Sequence, residues 1–120
     1  MGQQGRIIKR IDVMTFSAIV CPWIGHKAFV VISEDMMATC RVHIYDDEPH
    51  VAVISDLYVD AAARGKGKAN EMLSFCETLA KSQNCSEVQL RSDNDDWVRQ
   101  WYMRKGFEIE STQVWLKKNI

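Results

Sequence analysis

The stretch that decides the fold is DLYVDAAARGKGKANEMLSF, Asp56–Phe75. It opens at the end of an apolar run, Val51–Val59 (VAVISDLYV), whose near-continuous hydrophobicity over strand length predicts a central strand buried on both faces. It closes in a segment of helical period. Between them, Arg64, Gly65, Lys66, Gly67, Lys68 and Ala69 crowd two glycines and three cations into six residues. A glycine-rich loop at a helix start lets backbone N–H groups converge on an anion at the positive end of the helix dipole. Phosphate is the natural guest.

Working outward, Ala69, Met72, Leu73, Cys76, Leu79 and Ala80 fall on one helical face while Glu71, Glu77 and Lys81 point away, which predicts an amphipathic helix of about four turns. Glu87–Arg91 (EVQLR) reads as a short strand. Asp93, Asn94, Asp95 and Asp96 then offer caps for a second helix, Asp96–Lys105, with Arg104 and Lys105 in its last turn and Gly106 at its end. Phe107–Glu110 and Gln113–Lys117 predict a closing hairpin. On the N-terminal side, Ala28–Ser33 and Met37–Tyr45 read as a hairpin turning at Glu34 and Asp35. Before that, RIIKRIDV reads as a strand, and Asp12 is placed to cap a short helix through VMTFSAIV that Pro22 would end. The sum is an α/β chain of the α+β type: one mixed, mostly antiparallel twisted sheet with helices on both faces, organised around a strand, glycine loop, helix and strand unit.

Length and composition bound the function. A chain of 120 residues fits a single domain, 1–120, with one modest core. Fifteen basic against 16 acidic residues leave no global field to draw it onto nucleic acid. No apolar run approaches the roughly 20 residues of a membrane span, and Met1–Lys9 is polar and cationic without a signal-type core, so a cytoplasmic protein is expected. Cys21, Cys40, Cys76 and Cys85 contain no C-x-x-C pair and read as reduced thiols. The spacings of His26, His43 and His50 match no zinc pattern, and no metal is expected.

Spacing separates the glycine loop from its lookalikes. The nucleotide-triphosphatase loop G-x-x-x-x-G-K-[ST] fails because Ala62 stands where its first glycine is required and Ala69 where its hydroxyl is. The dinucleotide fingerprint beginning at Gly65 would need a glycine or alanine at Asn70. A protein-kinase loop would need partner motifs that this chain lacks. What remains is R-x-x-G-x-A, Arg64 to Ala69, directly after a strand ending in LYV. This resembles the pyrophosphate loop, [QR]-x-x-G-x-[GA], of the GNAT superfamily of N-acetyltransferases. About 25 residues further on, NDDWVRQWYMRKGF places Asn94, Trp97, Trp101, Tyr102, Gly106 and Phe107 at the spacings of that family's N-x-x-A-x-x-x-[YF]-Y-x-x-x-G-F helix. Trp97 departs from the pattern, standing where a small residue is usual. The resemblance covers roughly residues 28–117.

The resemblance implies acetyl-CoA as acyl donor, lying between two splayed parallel strands. Leu57, Tyr58 and Val59 would pair with the pantetheine amides, and Arg64, Gly65, Lys66, Gly67, Lys68 and Ala69 would bind the pyrophosphate. Asn94 and the helix face from Trp97 to Tyr102 would line the opposite wall, and Tyr102 would protonate the departing thiolate. Transfer to an amine also needs a base. A lysine-like amine of pKa about 10.4 costs roughly 4.6 kcal/mol to deprotonate at pH 7. Asp56 is the first candidate for that base, with Glu48 and His50 as alternatives, and a solvated Asp56 is the competing reading.

The implied function is therefore transfer of an acetyl group to an unidentified primary amine, with a homodimer through the terminal hairpin as a fold-level analogy. The family usually builds one strand and two helices before the first hairpin, and 27 residues scarcely hold all three. That shortened N-terminal region motivates a rival: a non-catalytic acyl-CoA-binding or regulatory module. A nucleic-acid module using Arg64, Lys66 and Lys68 is disfavoured, because the nearby tryptophans sit at core-packing spacing.

Overall fold

The computed structural model describes residues 6–11, 16–91, 96–109 and 115–120. Its strands are β1 (Arg6–Ile11), β2 (Phe16–Trp23), β3 (His26–Ser33), β4 (Ala38–Tyr45), β5 (Val51–Val59), β6 (Glu87–Arg91), β7 (Glu108–Ile109) and β8 (Trp115–Asn119). They form one sheet in the order β1-β2-β3-β4-β5-β6-β8-β7. Every neighbouring pair is antiparallel except β5 and β6. The crossover between those two is helix α1 (Lys68–Ser82), and α2 (Asp96–Arg104) follows β6. The mixed, mostly antiparallel sheet with its central strand, loop, helix and strand unit is the one expected.

The core forms where α1 lies on the sheet. On β4 the buried positions alternate as Ala38, Cys40, Val42 and Ile44, and they join Phe16, Phe29, Val31 and Ile54 from neighbouring strands. Helix α1 adds Met72, Leu73, Phe75, Cys76, Leu79 and Ala80. Phe75, which the helical periodicity did not single out, is fully buried, with its ring centroid 5.6 Å from that of Phe16. Burying a side chain of this size stabilises by about 1.5–3 kcal/mol. Trp101 and Tyr102 of α2 pack against the same cluster, which Phe107 completes. Both described helices pack residues against this one cluster, and the opposite face presents strand residues to a cavity described below.

The N-terminal region corrects the sequence reading most. Phe16–Val20, expected in a helix, belong to β2, which pairs with β3 from Phe16↔Ser33 to Trp23↔His26. The alternation of buried Phe16 and Ala18 with half-buried Ser17 and Ile19 is a strand period. The proposed cap at Asp12 lies outside the described residues. Pro22 does not end a helix. It lies within β2, opposite Lys27 of β3, and beyond Val20, the last β2 residue paired with β1 among the described residues. A two-residue turn, Ile24 and Gly25, leads straight into β3, with Gly25 at φ 85°.

At the next turn Ser33 and Asp35 replace the missing glycine. Ser33 Oγ donates to Asp35 Oδ1 (2.6 Å) and accepts from the N–H groups of Met37 (3.1 Å) and Ala38 (3.0 Å). The remaining elements fall close to expectation: β5 and β6 match at both ends, and α2 ends one residue early. The closing hairpin is Glu108–Ile109 with Trp115–Asn119. Among the described residues, no helix is long and apolar enough to cross a membrane.

Candidate acyl-donor site

Two irregularities in β5 build the site. The first is a bulge. Thr39 faces Tyr58 while Arg41 faces Ser55, so β5 carries one residue more than β4 over this span. Asp56 supplies the distortion, in the left-handed region at φ 53°, which aspartate tolerates better than most residues. The second is a parting of strands. Among the described residues β5 pairs with β6 only from Val51↔Glu87 to Ile54↔Leu90. From Ser55 onward the β6 side of β5 has no ladder partner there, leaving backbone groups open to an extended ligand.

Beyond Val59, Asp60 Oδ1 accepts from Ala62 N–H (3.0 Å) and caps a single 3-10 turn, Ala61–Ala63. Gly65 and Gly67 follow at φ 78° and 79°. Gly67 is the N-cap of α1 and offers no side-chain cap, and the first helical bond is Glu71 N–H to Gly67 O (3.0 Å). The leading N–H groups of Lys68, Ala69 and Asn70 therefore precede the helical ladder, at its positive end. A Cβ built on Gly65 or Gly67 meets no atom within 4 Å, so the backbone here faces open space.

That space is a cavity of about 600 Å³. Val59, Ala63, Arg64, Gly65, Gly67, Lys68, Ala69 and Asn70 line one side. Trp101 and Lys105 of α2 line the other, with Lys105 Nζ 5.2 Å from the centre of the Trp101 ring. The sequence reading anticipated the loop and, through the Trp97–Tyr102 helix face, Trp101, but not Asn70 or Lys105. Lys105 read as a helix-end charge, and only the approach of α2 to the loop brings it to the same surface.

The cations are less free than the sequence suggests. Arg64 Nε donates to Val59 O (2.9 Å), and its guanidinium lies 5.9 Å from the centre of the Tyr58 ring. Lys68 Nζ donates to Asp35 Oδ2 (2.9 Å) across the β3–β4 turn. Ser33, Lys68 and the Met37 N–H, in that order, hold the Asp35 carboxyl well below the usual range. Lys66 is exposed. The donors pointed at the cavity are thus chiefly main-chain.

Other expected residues scatter. Leu57 packs partly against the core, and Tyr58 is exposed. Tyr102 does not line the cavity. It stands edge-on to Trp101 (5.1 Å between centroids, 78°) and Phe107 (5.7 Å, 76°). Asn94 and the Trp97 side chain lie outside the described residues. Asp56 Oδ2 lies 3.4 Å from Arg41 Nη1, with the carboxylate side chain 67% exposed. Glu48 and His50 precede β5, and six residues of extended chain put His50 roughly 20 Å from the bulge. Among the described residues, no cluster of three or more His, Cys, Asp or Glu is arranged to hold a metal.

A strand that bulges and parts from its parallel neighbour, feeding an uncapped glycine loop, frames the candidate site at the head of a βαβ unit. The GNAT acetyltransferase family model matches residues 13–107, and the chain belongs to that family. Solved structures share its fold. An acetyltransferase from Bacillus cereus aligns at TM-score 0.62 and 18% identity, over 79% of this chain and 73% of its own. A GNAT acetyltransferase from Elizabethkingia anophelis, with acetyl-CoA bound, gives 0.63 and 11%, over 81% and 78%. An N-acetyltransferase from Thermoplasma acidophilum, in complex with coenzyme A, gives 0.63 and 15%, over 80% and 62%. A comparison with curated protein sequences finds no significant match.

Proposed function

We propose that this chain, acting as one domain, transfers an acetyl group from acetyl-CoA to a primary amine by direct attack. The observation that carries the reading is the alignment of two features on one strand. The edge of β5 beyond Ile54, which has no ladder partner on the β6 side among the described residues, leads directly into the loop whose backbone faces the cavity of about 600 Å³. A pantetheine chain laid along Leu57–Val59 would deliver its pyrophosphate to Gly65–Ala69. There the N–H groups of α1 favour negative charge, and Arg64, Lys68 and Lys105 surround it.

The neutral amine nitrogen attacks the thioester carbonyl carbon and the C–N bond forms; the nitrogen gives up one proton to a base, the C–S bond breaks as Tyr102 gives its phenolic proton to the sulfur, and the phenolate regains a proton from solvent. A phenol near pKa 10 holds that proton at neutral pH. A backbone N–H from the irregular stretch at the Asp56 bulge would polarise the thioester carbonyl.

A second reading, an acyl-CoA-binding module without acceptor chemistry, draws on the two-residue turn that carries β2 directly into β3. One experiment separates the two. Saturating acetyl-CoA should raise the melting temperature in both; at 100 times Kd the stabilisation is about 2.7 kcal/mol. Release of free CoA across polyamines, aminoglycosides, amino acids and peptide N-termini should occur only in the first. The absence of any thermal shift with millimolar acetyl-CoA or CoA would sink both.

A further inference from the structure

Helix α1 covers one side of the sheet, and the other side holds a different constellation. On β4, Cys40 faces α1, so Arg41, His43 and Tyr45 alternate onto the opposite face. A cavity of about 430 Å³ opens there, lined by Cys21, His26, Ala28, Val30, Arg41 and His43. From that lining His43 reaches across to β5, where its Nε2 lies 3.0 Å from Ser55 Oγ. Nδ1 of the same ring is sealed from solvent and has no hydrogen-bond partner among the described residues. Nε2 is therefore the ring nitrogen with a route for a proton, and that route leads to Ser55.

Ser55 occupies a singular position. It follows Ile54, the last β5 residue paired with β6, and precedes Asp56, the residue that makes the bulge. It stands where the strands part, on the face opposite the glycine loop's helix.

We propose that Ser55 and His43 form the proton-accepting pair for the acceptor amine, which meets the thioester from the face opposite α1; this rests on the transferase reading above. As the amine nitrogen bonds to the carbonyl carbon and the thiolate leaves, the amine N–H proton passes to Ser55 Oγ. The Ser55 hydroxyl proton passes to His43 Nε2. The resulting imidazolium returns its proton to solvent after product departs. Ser55 touches the reacting amine, and His43 acts through it.

The surroundings suit the task. Burial, reinforced by the nearby His26 and Arg41 and opposed by Asp56, lowers the His43 pKa below 6.5, so the ring is neutral and able to accept at neutral pH. The titratable and charged groups around the ring are Cys21 on β2, His26 on β3, Arg41 and Tyr45 on β4, and Asp56 on β5. Asp56 is already paired with Arg41. This leaves His43 as the better-placed acceptor beside the bulge.

Two measurements test the pair. Imidazole ¹⁵N–¹H correlation spectra of the intact protein with acetyl-CoA should show neutral His43 as the Nδ1–H tautomer at pH 7. Its Nε2 signal should move in Ser55→Ala. The Nε2–H tautomer, or a ring already protonated at pH 7, overturns the proposal whether or not any given amine is turned over. In acetylation of benzylamine, followed by thiol release, His43→Gln and Ser55→Ala should each lower kcat/KM by about 10²- to 10⁴-fold. His43→Gln should also abolish an acid limb centred below pH 6.5, while the thermal shift with acetyl-CoA stays unchanged. Wild-type rate and pH profile in both variants overturns the proposal. A missing acetyl-CoA shift in the wild type would instead strike the transferase reading.

Discussion

Lys68 Nζ meets Asp35 Oδ2 at 2.9 Å, tying the first residue of α1 to the turn between β3 and β4. The contact spans 33 residues and holds the glycine loop against the sheet. Because Ser33, Lys68 and Met37 all favour the charged carboxylate, Asp35 titrates in the folded chain far below its ordinary value of 3.8. A depressed carboxylate contributes stability that is present above its unfolded pKa and lost as pH falls through that value toward the folded one. Asp35→Asn should therefore melt at a lower temperature than the wild type at pH 7, and the gap should narrow progressively below pH 3.8. Thermal denaturation across pH 2–7 checks this; a gap of constant size down to pH 2 contradicts it.

Gly67 is the hinge of the candidate site, at φ 79° with open space where a side chain would project. In Gly67→Ala the new methyl meets no protein atom, so the loss is the backbone cost of the left-handed region, about 1–2 kcal/mol. Asparagine visits that region more readily, and Gly67→Asn should lose less. Denaturant titration measures both. The methyl also projects into the proposed pyrophosphate position, so the acetyl-CoA thermal shift should shrink in both variants even after correction for stability.

The sequence carried the centre of this fold and not its N-terminal edge. Val51–Val59 and Glu87–Arg91 were legible at both ends because a two-sided apolar run and a short β-branched strand lie between clear breakers. Phe16–Trp23 was not, because VMTFSAIV is apolar enough to suit either period and Asp12 and Pro22 imitate helix punctuation. What decides for a strand is register against β3, a long-range fact. The site divides in the same way. Gly65 and Gly67 announce their loop locally. The bulge at Asp56 has no glycine to mark it, and Ser55 meets His43 only because β4 and β5 pair as they do. Lys105 reaches the cavity through the placement of α2, which spacing along the chain does not encode.

The four thiols divide by burial. Cys40 and Cys76 are 1% and 0% exposed, with sulfur atoms 3.4 Å apart. The Cys40 contact, followed by burial, pushes the Cys76 thiol up. Burial raises Cys85 as well, whereas Cys21 is only half-buried on the face opposite α1. The thiolate is the reactive form, so a chromogenic disulfide reagent should titrate one thiol rapidly in the native protein and all four in denaturant. Cys21→Ser should remove the rapid phase. Rapid reaction of a second thiol would show that the α1 interface opens far more readily than its packing implies.

Tyr102 tests whether chemistry and packing can be separated at one residue. Its ring stands edge-on between Trp101 and Phe107, contacts that a phenylalanine reproduces. Tyr102→Phe keeps both ring contacts, so any shift in its melting temperature reports what the hydroxyl adds to stability. If the phenol protonates the leaving thiolate, turnover with the best amine should fall by about 10²- to 10⁴-fold. The loss should be partial, because a thiolate whose conjugate acid has a pKa near 8.5 already leaves moderately well. The fall should appear in kcat, with the acetyl-CoA thermal shift unchanged, since the hydroxyl is used only as the C–S bond breaks. Unchanged kcat under conditions where acyl transfer limits the rate would remove Tyr102 from the acid role and leave it as an aromatic packed between Trp101 and Phe107.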